Sequence, residues 1–354
     1  MAGHIRILIV DDSPFMRRAI NSLLEGEKDI TVVGFAKDGQ DAIRQVQDLK
    51  PDIVTMDIEM PVMDGLKALK IIMEKFPLPV IMLSSLTEDG AEGTLDALDI
   101  GAVDYIPKNL SNVSLNILKI KDDLLSKIRA ITVKKYVFRQ YGDITAVEYA
   151  EQTSLEENTD GKNKIDIVAI GSSTGGPRAL QDVIPKIPEN FPVPIIMVQH
   201  MPKAFTGSFA ERLSSMSHIN VIEASGDEII KPGTAYLSPG DKHLSIEKAG
   251  REGIKITLSN EPADLTNRPS VSFMMESVAK EYPGKALGII LTGMGSDGLL
   301  GMKKIKEGGG KTIAQDEATC VVYGMPKVVT DAGLADVVLP VYRIGNEIIK
   351  EIMG

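Results

Sequence analysis

Three residues in the second half of the chain have the types that make up a serine nucleophile: Ser173, His200 and Asp297. A hydroxyl attacks only if an imidazole takes its proton, and an imidazole serves best when a carboxylate orients it. Each of the three follows an apolar run. Residues 165–170 lead into GSSTGGP (171–177), PIIMVQHMP (194–202) ends its run at His200, and ALGIILTGMGSDG (286–298) ends in a glycine-rich loop that holds Asp297. GSSTG fits the G-x-S-x-G pattern of a strand-to-helix elbow with Ser173 at its tip. The same loop also reads as an anion site at a helix N-terminus, or as a tight turn. It lacks the Lys-Ser/Thr pair of a Walker A loop and a G-x-G-x-x-G run, so both nucleotide fingerprints fail. His200 also reads as a structural histidine and Asp297 as a helix N-cap before Gly298-Leu299. The chain order Ser, His, Asp differs from that of α/β-hydrolases, so the chemistry would sit on another scaffold.

A second cluster lies in the first half. Asp11-Asp12, Asp57, Ser84-Ser85 and Lys108 all fall at or just past the ends of strand-like runs. Carboxylates on one rim repel one another, and a hard divalent cation such as Mg2+ relieves that repulsion. A lysine and a hydroxyl beside them would hold an anionic group. Singly, Asp12 reads as a helix cap, Asp57 as a turn residue and Lys108 as a solvated charge. Four strand ends in one chain favour the joint reading.

The elements that must position these residues follow from hydrophobic spacing. Strand-like runs at 5–10, 30–36, 52–57, 79–85 and 102–106 alternate with helical spacing over 15–24, 41–49, 66–76, 90–100 and 115–131. Such alternation predicts a parallel sheet with helices on both faces, whose ligands bind at the carboxyl ends of the strands. Polar residues without a period then lead to a second α/β unit. Its strands are expected at 165–170, 193–199, 286–292 and 311–314, and its helices at 178–187, 205–216, 271–282 and 299–307. Residues 243–247 and 254–258 flank AGREG (249–253) and predict an inserted β-hairpin. His218 and His243, the latter in an expected turn, read as ordinary residues, and Cys320 as core.

Composition narrows the function. The 354-residue chain carries a net charge of -10, which disfavours an extended nucleic-acid surface. Most of the acidity lies in residues 1–163, with 19 Lys and Arg against 27 Asp and Glu. One cysteine excludes a disulfide framework, and no apolar stretch nears the roughly 20 residues that span a bilayer. A cytoplasmic protein without membrane insertion is expected.

Two resemblances sharpen this reading. Residues 1–125 resemble the receiver domain of two-component response regulators through VDDS (10–13), MDIEMPVMDG (56–65), MLSS (82–85) and DYIPK (104–108). The resemblance implies a flavodoxin-like fold with a five-stranded parallel sheet. It implies that Asp57 accepts a phosphoryl group from a histidine kinase. Asp11, Asp12, Asp57 and the backbone of Glu59 would hold Mg2+, and Ser84 and Lys108 would contact the phosphoryl oxygens. The family usually has proline after its lysine, whereas Asn109 follows Lys108, so the cis peptide common there is not implied here.

Residues 164–354, beyond a linker at 126–163, resemble the catalytic domain of the protein-glutamate methylesterases of bacterial chemotaxis. The matching stretches are IGSSTGGP (170–177), QHMP (199–202), FTGSFAERL (205–213), LSPGDKHL (237–244), RPSVSFMMESVA (268–279), ILTGMGSDG (290–298) and CVVYGMP (320–326). A doubly wound α/β domain with the hairpin insertion is then expected. The resemblance implies Ser173 as nucleophile, His200 as base and then acid, Asp297 as orienting carboxylate, an oxyanion site near Met294, and support from Thr174. It implies cofactor-free hydrolysis of glutamate methyl esters on cytoplasmic chemoreceptor helices, with glutamine deamidation as a related activity. A phosphorylation-dependent adaptor is the main rival. A transcriptional regulator is disfavoured because the second half has no basic recognition helix.

Overall fold

The computed structural model describes residues 4–85, 87–108, 116–132 and 164–354. Most of the expected linker, and Asn109 after Lys108, lie outside these residues.

The apolar runs of the first half become β1 (Ile5–Val10), β2 (Ile30–Ala36), β3 (Ile53–Asp57), β4 (Val80–Ser84) and β5 (Asp104–Pro107). They pair in parallel in the order β2-β1-β3-β4-β5. Every residue of β3 and β4 is buried, as befits central strands covered on both faces. Helices α1 (Pro14–Leu24), α2 (Gly39–Leu49), α3 (Gly65–Lys75), α4 (Glu88–Ile100) and α5 (Asn116–Thr132) complete the layers. Side-chain oxygens of Ser13, Asp38, Asp64 and Thr87 accept backbone N–H groups at the first four helix starts, each worth about 1 kcal/mol. Ser13, not Asp12, caps α1, so Asp12 remains free to face the rim. Helix α5 runs past the expected boundary at 125 because Ile128 and Ile131 are buried in this domain's core.

The second unit is a seven-stranded, wholly parallel sheet in the order β14-β13-β12-β6-β7-β9-β8. Its strands are β6 (Ile167–Ser172), β7 (Ile195–Gln199), β8 (Asn220–Glu223), β9 (Thr234–Leu237), β12 (Ala286–Ile290), β13 (Lys311–Gln315) and β14 (Val337–Leu339). The separate antiparallel pair β10 (His243–Lys248) and β11 (Ile254–Ser259) forms the expected hairpin. Helices α6 (Gly176–Val183), α7 (Lys203–Ser215), α8 (Val271–Glu281), α9 (Leu299–Glu307), α10 (Met325–Asp331) and α11 (Val341–Met353) cover the sheet. Helix α6 gives way to a 3-10 turn over Ile184–Lys186, where Pro185 cannot donate a helical N–H. The spacing does not announce β8, β9 and β14, which have four, four and three residues, too few for a period.

The two units touch through α4, which packs against α7 and α6. Arg212 of α7 pairs with Asp96 at 2.6 Å and Asp99 at 2.5 Å, and Gln181 donates to Asp99 at 2.6 Å. The Tyr105 ring of β5 meets Phe205 of α7 edge-on, with centroids 5.0 Å apart. Met294, Val321 and Val322, beside the glycine-rich loops of the second sheet, join the apolar cluster of the first unit.

Candidate active site and phosphoacceptor pocket

Strands β12, β6 and β7 are adjacent in the second sheet, so the residues that follow them share one edge. Ser173 follows β6, His200 follows β7, and Asp297 lies in the loop after β12. His200 Nε2 and Asp297 Oδ2 are 2.9 Å apart. The His200 backbone N–H donates to the Ser172 carbonyl at 3.1 Å, holding the imidazole beside the Ser173 loop. With Nε2 on the carboxylate, Nδ1 is the nitrogen left to face a hydroxyl. Ser173 Oγ makes no hydrogen bond among the described residues, a looseness common where no substrate is bound.

The serine backbone is held from three sides. Its N–H donates to the Thr292 carbonyl at 3.0 Å, while its carbonyl accepts from Gly176 N at 2.7 Å and Gln199 Nε2 at 3.0 Å. Gly293 admits this packing, because a Cβ there would stand 2.8 Å from the Ser173 Cβ. Gly175 turns the chain at φ +75 and would bring a Cβ to 2.5 Å from Val321. Thr174 is buried, and its carbonyl accepts the Thr292 hydroxyl at 2.9 Å. No hydrogen bond links the Thr174 hydroxyl to Ser173. Met294 sits in the β12 loop, and its N–H makes no hydrogen bond among the described residues.

Asp297 accepts five hydrogen bonds. Besides His200, they come from Ser270 Oγ (3.0 Å), Val271 N (2.8 Å), Ser272 N (2.9 Å) and Gly298 N (2.9 Å). The carboxylate thus sits at the N-terminus of α8, while α9 has Gly298 at its N-cap and no side-chain cap. Burial would raise its pKa, but His200 and the α8 amides hold it well below the usual carboxylate range. Gln199, Thr292, Ser270 and His243 also take part in the site, which residue type and spacing alone do not signal. All four lie in the matched stretches QHMP, ILTGMGSDG, RPSVSFMMESVA and LSPGDKHL, but hydrogen-bonding roles leave no periodic trace.

In the first sheet, carboxylate oxygens of Asp11, Asp12 and Asp57 lie within 4.8 Å of one another. Lys108 Nζ stands 2.9 Å from Asp11 Oδ2 and 2.6 Å from Asp57 Oδ2. Asp11 Oδ2 is buried and has no hydrogen-bond partner, only this ionic neighbour. An all-oxygen set with such an atom fits a hard divalent cation. Burial raises the Asp57 pKa, against the opposing pull of Lys108. Burial works against the Lys108 charge too, yet its ion pairs with Asp57 and Asp11 hold its pKa above the ordinary lysine value. Asp12, Asp57, Glu59, Ser85 and Lys108 line one cleft. Ser84 Oγ points elsewhere: it donates to the Gly90 carbonyl at 3.0 Å and accepts from Thr94 Oγ1 at 2.5 Å.

Fold and sites together define an α/β response regulator joined to a second α/β unit of hydrolase type. The CheB methylesterase family matches residues 168–348, and the response regulator receiver domain family matches residues 7–118. The chain is 45% identical to a protein-glutamate methylesterase/protein-glutamine glutaminase of Thermotoga maritima, covering 98% of each chain. It is also 45% identical to one from Oleidesulfovibrio alaskensis, covering 98% of this chain and 99% of that one. The solved catalytic domain of Thermotoga maritima CheB methylesterase is 48% identical, with a TM-score of 0.51 over 53% of this chain and 99% of that domain. The chain therefore belongs to the CheB methylesterase family and carries a receiver domain at its N-terminal side.

Proposed function

We propose that the chain is a phosphorylation-gated protein-glutamate methylesterase acting through Ser173, His200 and Asp297. The observation that carries this reading is the 2.9 Å contact of His200 with Asp297 at the edge where Ser173 turns out of the sheet. Ser173 Oγ attacks the ester carbonyl as His200 Nδ1 takes its proton. The tetrahedral oxyanion is stabilised by backbone N–H groups near Met294. His200 returns the proton to methoxide, which leaves as methanol, and a glutamyl-serine ester remains. Water, deprotonated by His200, releases the free glutamate and restores Ser173. A glutamine side chain follows the same route with ammonia leaving. Hydrolysis asks for no cofactor in this scheme.

The substrate is a methylated glutamate on the cytoplasmic helices of a chemoreceptor, which places the chain in the cytoplasm. The phosphodonor is a histidine kinase, whose phosphoryl group passes to the Asp57 carboxylate. Mg2+, held by Asp11, Asp12, Asp57 and the Glu59 backbone, would neutralise charge there, with Lys108 and Ser84 on the phosphoryl oxygens. Engaging Ser84 means releasing its bonds to Gly90 and Thr94, which lie on α4, the helix that grips Arg212. That release would loosen α4 from α7 and uncover the catalytic edge.

Acid-quench mass spectrometry on a chain mixed with a glutamate-methyl-ester peptide tests the chemistry. An acyl adduct on the peptide containing Ser173, absent from Ser173→Ala, is expected; turnover with no adduct at any time point and full activity in Ser173→Ala would refute it.

A further inference from the structure

The β10–β11 hairpin contributes no reacting group, yet its first residue reaches the site. We propose that His243 is a positioning residue for Asp297, anchoring the N-terminus of α8 whose serine and amides hold that carboxylate against His200. The inference rests on the reading of Ser173, His200 and Asp297 given above.

His243 is wholly buried. Its Nδ1 accepts the Ser270 backbone N–H at 3.2 Å, and its Nε2 donates to the Pro262 carbonyl at 3.2 Å. Both bonds require the neutral tautomer with the proton on Nε2. Its ring also lies against Phe273 of α8, with centroids 5.3 Å apart. Ser270 is the N-cap of α8 and is itself buried. Its N–H lies outside the helical ladder, so His243 supplies the acceptor that a buried donor requires. The Ser270 hydroxyl receives Phe273 N at 3.3 Å and donates to Asp297 Oδ1 at 3.0 Å. A continuous chain of bonds thus runs from Pro262 through His243, Ser270 and Asp297 to His200. An apolar side chain would fill the same space without fixing where Ser270 sits. The inserted hairpin thereby serves catalysis by setting the cap, and the cap sets the carboxylate.

Steady-state methanol release from methylated chemoreceptor membranes tests this with full-length wild type, Ser173→Ala, His243→Phe, His243→Asn and Ser270→Ala. Phenylalanine keeps the ring contact but offers no acceptor; asparagine places an amide oxygen near the position of Nδ1. We expect His243→Phe and Ser270→Ala to lower kcat about tenfold with KM changed less than about twofold, since misplaced groups cost rate more than binding. His243→Asn should recover kcat to within about threefold of wild type. Wild-type kcat in His243→Phe, or His243→Asn no better than His243→Phe with both folded by circular dichroism, would overturn the proposal. If His243→Phe does not fold, unchanged kcat in Ser270→Ala overturns it instead. Activity retained by Ser173→Ala would show that the underlying triad reading has failed, and the inference would fall with it.

Discussion

Asp57 and Asp297 occupy equivalent places, each at the carboxyl end of a parallel sheet, yet their surroundings push them in opposite directions. Asp57 shares its rim with Asp11 and Asp12, pairs directly with the Lys108 ammonium and lines a cleft with it. Burial raises its pKa. Asp297 is enclosed by five donors, four of them from α8, its cap and Gly298, and its pKa is held far down. A carboxylate meant to be modified must keep an accessible oxygen and partners that can let go. One meant to orient a base must have every lone pair claimed. Strand-end position alone does not distinguish these roles; the donors supplied by neighbouring elements do.

Removing the proposed nucleophile should have the largest effect. Ser173→Ala is expected to lose about 10^4-fold or more in kcat while keeping its far-ultraviolet spectrum and melting temperature. The two aspartates then separate. Asp297→Asn should cost about 10^3 to 10^4 in kcat, because the amide cannot hold the His200 tautomer as the carboxylate does. Asp57→Asn should keep the unstimulated rate and show no rise on adding a phosphodonor with Mg2+. If Asp57→Asn responded like wild type, or Asp297→Asn turned over normally, the division of labour between the two sites would be wrong.

Smaller effects probe the contact between the units. Arg212 is partly exposed, so its pairs with Asp96 and Asp99 are worth about 1 kcal/mol at most. Arg212→Ala should therefore raise the unstimulated rate about three- to fivefold, and wild type should drift the same way in high salt. An unchanged rate would remove this pair from the gate.

The smallest effect is on acid stability. Burial holds the His243 pKa below its ordinary 6.5, against the Pro262 carbonyl, Asp297 and Glu261 and with the help of Arg268. The unfolded chain therefore takes up a proton first, and stability declines as pH falls from about 6.5 toward the folded value, with no change above it. Melting curves between pH 5 and 8 should show a shallower decline for His243→Asn than for wild type. Parallel declines would mean that His243 does not titrate on unfolding.

Much of this was readable from residues alone. The five alternations of the first half, the hairpin, and the strand ends bearing Asp11, Asp57, Ser173, His200 and Asp297 all follow from apolar runs and their punctuation. Strands β8, β9 and β14 do not announce themselves, since three or four residues cannot display a period. The helical spacing over 115–131 already carries α5 past residue 125. His243, beside Lys242, reads as a turn residue, and only tertiary packing brings its two ring nitrogens to the Ser270 N–H and the Pro262 carbonyl. The direction of the Ser84 hydroxyl was equally hidden, being set by Thr94 ten residues away.

The central claim, a Ser173 esterase governed by Asp57, is tested most directly by methanol release from membranes bearing methylated chemoreceptors. Wild type, Ser173→Ala and Asp57→Asn would be assayed with and without a small-molecule phosphodonor plus Mg2+. Release should rise with phosphodonor in wild type, stay at the unstimulated level in Asp57→Asn and vanish in Ser173→Ala. No release from folded, phosphorylated wild type would contradict it and leave a phosphorylation-dependent adaptor in which GSSTGG is a structural turn.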